Sequence, residues 1–131
     1  MIPDQEIKGF LDSLGTLGNL RIGMMPASPN SIGVINTYGG LASERRFGVV
    51  GVGYEKPSIQ IMFRGEPEDY ASPMAKARIA YLALAGIEPG TIMIGSAEYL
   101  TVNPQQPPYS LGKDNSLRYE IVFNIYITKE P

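Results

Sequence analysis

Glu66, Glu68 and Asp69 place three carboxylates within four positions, the tightest acidic group in a chain of 131 residues. Carboxylate pairs can hydrolyse glycosides or hold calcium. These three lack the glycine and the spacing of a calcium loop, and no second carboxylate group is identifiable opposite them. They directly precede a helix signal, where negative charge interacts favourably with the helix dipole, so a structural or solvated role accounts for them. Gly48, Gly51 and Gly53 suggest a phosphate-cradling loop, but such a loop hands its phosphate to a helix N-terminus. Here Pro57 and an alternating strand follow, which favours a flexible or interface loop. Arg45 and Arg46 could meet phosphate or an acidic partner surface, or simply be solvated. The apolar Phe47, Val49 and Val50 after them suggest that something buries this segment, and arginine is enriched at protein interfaces. With Lys76, these five residues are the candidate protein-interface set. Tyr109 and Tyr119 could form an aromatic patch, with core or edge packing as the plainer role.

The inventory narrows the chemistry further. The chain has no histidine and no cysteine. That removes thiolate zinc sites, disulfides, a cysteine nucleophile, every Ser/His/Asp triad and the commonest general base and metal ligand. No catalytic residue, metal site or cofactor is expected. The net charge of −2 supplies no basic field for a phosphate backbone, so sequence-specific nucleic acid is not an expected partner. The longest apolar stretch, Ile79 to Ile87, is about half of a membrane span, and Asp4 and Glu6 do not fit the basic opening of a signal peptide; a cytosolic place of assembly is expected.

The elements that would position these residues follow from the pattern. Length and composition fit one domain over 1–131, with a radius of gyration of roughly 14 Å. Pro3 suits a first helical position, and Ile7, Phe10, Leu11 and Leu14 recur at helical spacing, so a helix is predicted over 3–14 with Gly15 as its stop. Leu20, Ile22 and Met24 alternate as a strand that Pro26 ends, and Ile32 to Tyr38 as a second. A long loop at about 41–56 reads as an excursion of a hairpin or a mobile segment closed by Pro57. Ile59, Ile61 and Phe63 form the clearest short strand. Ser72 as N-cap, Pro73 as first helical residue and Gly86 at C′ set the main helix at 73–85. On it Met74, Ala77, Tyr81, Leu84 and Ala85 share one face, while Ile79, Ala80 and Ala83 make the other nearly as apolar, interrupted chiefly by Lys76. Such a helix wants two burial partners: the sheet, and either the first helix or a neighbouring subunit. Thr91 to Asn103 reads as strand material with a bulge near Gly95 and Ser96, Pro104, Pro107 and Pro108 forbid regular pairing, and Gly112 to Asn115 make a turn. Leu117 to Thr128 alternate as one strand of roughly 40 Å, which must bend or reach past its own domain. The fold expected is α+β: a mixed, mostly antiparallel sheet of about four to five strands with two helices packed on one face.

Several local strings carry a resemblance: Ile61, Met62, Phe63, Arg64 and Gly65 at a strand end; the acidic connection through Tyr70 into an alanine-rich helix; and Pro108, Leu111, Gly112, Asp114 and Arg118 leading into the strand of Phe123 and Asn124. This order resembles the tail terminator, or minor capsid, family of long-tailed bacteriophages. The family's late turn usually reads Gly, any residue, Asp, Glu, Asn, Gly, Arg; here Asp114 is followed by Asn115, Ser116 and Leu117 before Arg118. The resemblance implies a virion protein, assembled in the host cytoplasm, that forms a hexameric ring at the head-proximal end of the tail tube. Its implied partners are other copies of the chain, the tail tube protein and a head-completion or neck protein, with DNA passing through the ring. It implies that tube polymerisation stops there and that head joining follows, with no catalysis. The alternatives are another head–tail connector and, in a different class, a small-molecule-binding or acid/base domain, which would show a concave pocket with convergent polar groups.

Overall fold

The computed structural model describes residues 3–44, 54–86, 92–94 and 97–129. In chain order the elements are α1 (Pro3–Asp12), β1 (Leu20–Ile22), β2 (Ile32–Glu44), β3 (Tyr54–Arg64), α2 (Ala71–Ala85), β4 (Ile92–Ile94), β5 (Ala97–Pro104), β6 (Tyr109–Lys113) and β7 (Tyr119–Lys129). The strands form one sheet in the order β1-β2-β3-β7-β5-β4, with β6 also paired to β7. Among the described residues only β1 with β2 is parallel; the other pairings are antiparallel. This is the expected α+β class with a mixed, mostly antiparallel sheet.

Among the described residues seven strands stand where alternation counts four to five. One reason is that the segment read as a single bulged strand reverses, Ile94 pairing with Ala97, so that β4 and β5 are antiparallel neighbours. Another is β6, whose five residues are too few to announce a period. The long segment at 41–56 is also shorter than expected. β2 continues to Glu44 and β3 begins at Tyr54, with Leu41 opposite Lys56 and Glu44 opposite Tyr54, and residues 45–53 lie outside the described residues. Pro57 therefore sits inside β3 rather than closing a loop. It lies opposite Gly40 next to a register shift between Tyr38 and Gly40, where a missing N–H interrupts no regular ladder.

Register sorts the strands into two faces. Gly33, Phe63 and Ile121 form one row and Ile35, Ile61 and Phe123 the next, all toward the helices. Ile7 and Leu11 of α1, and Ala77, Ala80 and Leu84 of α2, close the core over them. Each buried large side chain contributes about 1.5–3 kcal/mol, so this layer holds the fold. Gly33 is required by close approach: a Cβ there would lie 2.6 Å from Leu20 Cδ2 and 2.7 Å from Phe63 Cε1. α2 rests on β3, β5 and β7, whereas α1 rests on β1, β2 and β3 and also touches β4. Because β1 and β4 are opposite ends of the strand order, the sheet curls around α1.

Helix ends depart from the expectation in instructive ways. α1 stops at Asp12, and Gly15 at φ 73° completes its exit. α2 starts at Ala71, two residues before the expected 73, and Ser72 is not its cap. Asp69 Oδ1 accepts the Ser72 N–H at 3.1 Å, which satisfies a first-turn donor of the earlier-starting helix. Gly86 is the C-cap and keeps right-handed dihedrals, not the left-handed C′ conformation expected of it. Burial on α2 falls on Pro73, Ala77, Ala80 and Leu84. Ala80 thus joins the core side, Ala85 is exposed, and Ile79 and Leu82 project at 43% and 56% exposure beside the exposed Arg78.

Candidate functional site

The side chains with the most polar contacts gather at one end of the sheet, where β2 and β7 begin, β3 and β6 end, and α2 starts. Arg64 closes β3, in register with Ile32 on one side and Glu120 on the other, on the face away from the helices. It is 3% exposed. Its Nε donates to Asn30 O at 3.1 Å and its Nη2 to Pro29 O at 2.7 Å, with a longer contact to Ala27 O at 3.5 Å. Arg118, also buried, donates through Nη1 to Ala27 O at 2.7 Å and Asn30 Oδ1 at 3.0 Å, and through Nε to Asp114 Oδ2 at 2.9 Å. Two guanidiniums therefore hold the connection between β1 and β2 by its carbonyls, and their planar forks suit several acceptors at once. Burial, then the neighbouring Arg118 charge, lowers the Arg64 pKa, while Asp114 and Glu120 act in the opposite direction.

The turn from Asp114 to Arg118 is built on one carboxylate. Asp114 Oδ1 accepts the N–H groups of Ser116 at 2.9 Å and Arg118 at 3.0 Å, an Asx-type arrangement that closes the β6–β7 hairpin. The Arg118 N–H is the leading cause that holds the Asp114 carboxyl below its ordinary range, followed among the favourable contacts by the Ser116 N–H and the Arg118 guanidinium. Leu117 adopts φ 63°, at the place where the resembled family's turn usually has glycine. Its carbonyl accepts the N–H of Glu68 at 2.8 Å, and Glu68 is itself at φ 65°. Two non-glycine residues in the left-handed region thus tie the hairpin to the connection before α2, at a backbone cost of about 1–2 kcal/mol each.

A depressed carboxyl contributes stability that is present above its unfolded pKa and is lost as pH falls through its folded value. Asp114→Asn keeps an oxygen for the two N–H groups but removes the charge and puts an amide NH2 where Oδ2 accepts the Arg118 Nε–H. The variant should be less stable than wild type at pH 7, and the difference should shrink as pH falls below about 4, the ordinary aspartate range. Urea melts at pH 7, 4 and 2.5 measure this; a gap unchanged at the lowest pH would show that charge is not the cause.

The acidic group is occupied within the protomer. Asn30 Nδ2 donates to Glu66 Oε2 at 2.8 Å, Lys113 Nζ to Glu68 Oε2 at 2.7 Å, and the Ser72 N–H to Asp69. The Ser72 N–H and then its hydroxyl lower the Asp69 pKa, and the Glu68 bond raises that of Lys113. Lys76 Nζ donates to Ser31 Oγ at 2.9 Å, a further tie between α2 and the β1–β2 connection. Arg45, Arg46, Phe47, Val49 and Val50 lie outside the described residues, as do Gly48, Gly51 and Gly53. β3 begins at Tyr54, so a strand, not a helix, follows those glycines. Tyr109 and Tyr119 do not meet. Tyr109 is in register with Val122, on the face away from the helices, whereas Tyr119 stacks edge-on with Tyr70 at 5.2 Å beneath Lys113 Nζ at 5.3 Å. A groove of about 390 Å³ opens between α1 and β1, lined by Gln5, Lys8, Gly9, Asp12 and Ile22. Its two charged groups pair with each other, Lys8 Nζ to Asp12 Oδ2 at 2.7 Å.

Arg64 and Arg118 were the residues that sequence reasoning left without a role. The sequence offered a signal for one of them, the Asp114/Arg118 pair that brackets a turn at a spacing of four; Arg64 ends a strand that also carries Glu55, Lys56 and Gln60, so its charge does not stand out.

The family model described as bacteriophage tail terminator protein matches residues 10–131. The chain belongs to that family. It is therefore a structural protein of the phage tail and neck, located in the tail–neck region of the virion. Its fold is similar to that of a chain in the virion of a native gene transfer agent (GTA) particle, with a TM-score of 0.61 at 14% identity, covering 97% of this chain and 90% of that one. No curated protein matches the chain.

Proposed function

We propose that this protein forms a ring, hexameric in number, on the head-proximal end of the tail tube, where it stops tube polymerisation and offers the surface for head joining, without catalysing a reaction. The family match across residues 10–131 carries this reading. Two features of the protomer support it. The outer side of α2 carries the exposed Ile79 and Leu82, and the loop end is fixed by buried hydrogen bonds rather than arranged around a reactive group. The proposed subunit contacts are this outer strip with Arg45, Arg46, Phe47, Val49 and Val50, and Lys76 as the residue that ties α2 to Ser31. A second reading, another head–tail connector, is kept because such proteins also join rings of small subunits.

Electron microscopy of the purified chain mixed with tail tubes from a terminator-deficient infection tests the proposal. Capped tubes of uniform length, with a ring at one end, are expected. Tubes that continue to lengthen while the chain binds heads instead would favour the connector reading.

A further inference from the structure

α1 has one face in the core and another over an open recess. Ile7 and Leu11 point into the core, whereas Gln5, Lys8, Gly9 and Asp12 share the opposite stripe, at the i, i+3, i+4 and i+7 spacing of one helix face, and line the groove with the exposed Ile22. Gly9 is the informative member. Glycine is less favourable than alanine inside a helix, and a Cβ at this position would meet nothing within 4 Å, so no contact within the protomer requires its absence. The missing side chain leaves a notch that opens outward.

α2 carries the matching relief. Ala75, Arg78, Ile79 and Leu82 repeat the same spacing on its exposed side, with Ile79 and Leu82 as the projecting apolar groups and Arg78 as the charge beside them. At the groove, Lys8 takes Asp12 Oδ2 at 2.7 Å, which leaves Oδ1 to accept from a second cation. Stripe and groove therefore agree in spacing, in shape and in the sign of their charges. They are also separate surfaces of the protomer, since α1 rests on β1, β2 and β4 and α2 on β5 and β7, with β3 beneath both.

We infer that the exposed stripe of α2 in one copy of this chain seats in the α1–β1 groove of the next, with Ile79 and Leu82 entering beside Gly9 and Arg78 reaching Asp12. The inference rests on the ring reading above and names its subunit contact. Residues three and four apart on one helix form ridges that fit the grooves of another, and a glycine lets the two backbones approach closely. A contact between two different surfaces is heterologous, so it repeats from copy to copy and closes into a ring when the rotation allows. A twofold pair is disfavoured, because stripe against stripe sets two ridges and two like charges together.

The test uses the full chain, with and without tail tubes from a terminator-deficient infection. Gly9→Leu should melt at or above the wild-type temperature, because leucine is the better helix former and has open space, yet self-associate at least about tenfold more weakly, the scale of overpacking a fitted contact. A glycine without a role at the interface would give the first change and not the second. Leu82→Glu should leave melting unchanged and weaken self-association to a similar degree. The native chain has no cysteine, so Asp12→Cys and Arg78→Cys in one chain report neighbours without background. A short bismaleimide should link that double variant into a ladder beyond dimers, while either single variant stays unlinked. Wild-type rings on tubes without such a ladder, and with both interface variants associating normally, would overturn the inference and leave the ring reading intact. Dimers from a single-cysteine variant would show a twofold contact and overturn it too. Normal self-association with lost tube binding in Gly9→Leu and Leu82→Glu would make the tube the occupant, again overturning it. A wild-type chain that forms no ring on tubes would remove the ring reading and this inference with it.

Discussion

Replacing Phe123 with alanine should lower the unfolding free energy by about 3–5 kcal/mol, the range for truncating a buried phenylalanine. Phe123 is fully buried in β7, in register with Ile61 of β3 and, through it, Ile35 of β2. Its ring meets Tyr81 of α2 edge-on at 5.8 Å, so one side chain joins the central strands to the main helix. Collapse around the vacancy is hindered because its neighbours belong to paired strands on both sides. Domains of this kind have about 5–15 kcal/mol in total, so the loss is a large share. At about 4 °C per kcal/mol the melting temperature should fall by 12 °C or more. Phe123→Leu, which keeps most of the volume, should lose under about 1.5 kcal/mol. Calorimetry of the three proteins measures this; equal melting of the alanine and leucine variants would show that the ring contact with Tyr81, not volume, dominates.

The second large effect is expected at the arginine brace. Arg118→Met should destabilise by about 2–4 kcal/mol, since three charge-assisted hydrogen bonds go and a partly shielded carboxylate loses its partner. Arg64→Met should act in the same direction through Pro29 and Asn30. The two arginines share the Ala27 carbonyl, reached at 2.7 Å by Arg118 and 3.5 Å by Arg64, so the first loss already loosens what the second would hold. The double variant should therefore lose less than the sum of the singles, by at least about 0.5 kcal/mol. Denaturant melts of all four proteins close the cycle. Additivity within about 0.3 kcal/mol would mean that each arginine supports a separate part of the loop.

The sequence by itself determined the class of protein and most of its elements, because those depend on local and periodic information. The absence of histidine and cysteine narrowed the available chemistry before any element was placed. Alternation through Ile59, Ile61 and Phe63, and again along β7, identified the central strands, since a sheet with one buried face imposes a period of two. Those same strands carry the strings that resemble tail terminators, and the family match agrees.

Only the tertiary structure decided the rest. Whether Thr91 to Asn103 bends or reverses depends on which strand accepts it, and β7 is distant in sequence. Asp69 displaces Ser72 as the residue that satisfies the start of α2 because its side chain lies within reach of the Ser72 N–H, a geometric matter that cap preference cannot decide. The acidic residues look free in sequence, yet their partners Asn30 and Lys113 lie 36 and 45 positions away. The brace itself is the clearest case. Arg64 and Arg118 meet the carbonyls of residues 27 to 30 from 34 to 91 positions off. Backbone carbonyls have no sequence signature, so a charge neutralised by them is invisible until the chain is folded.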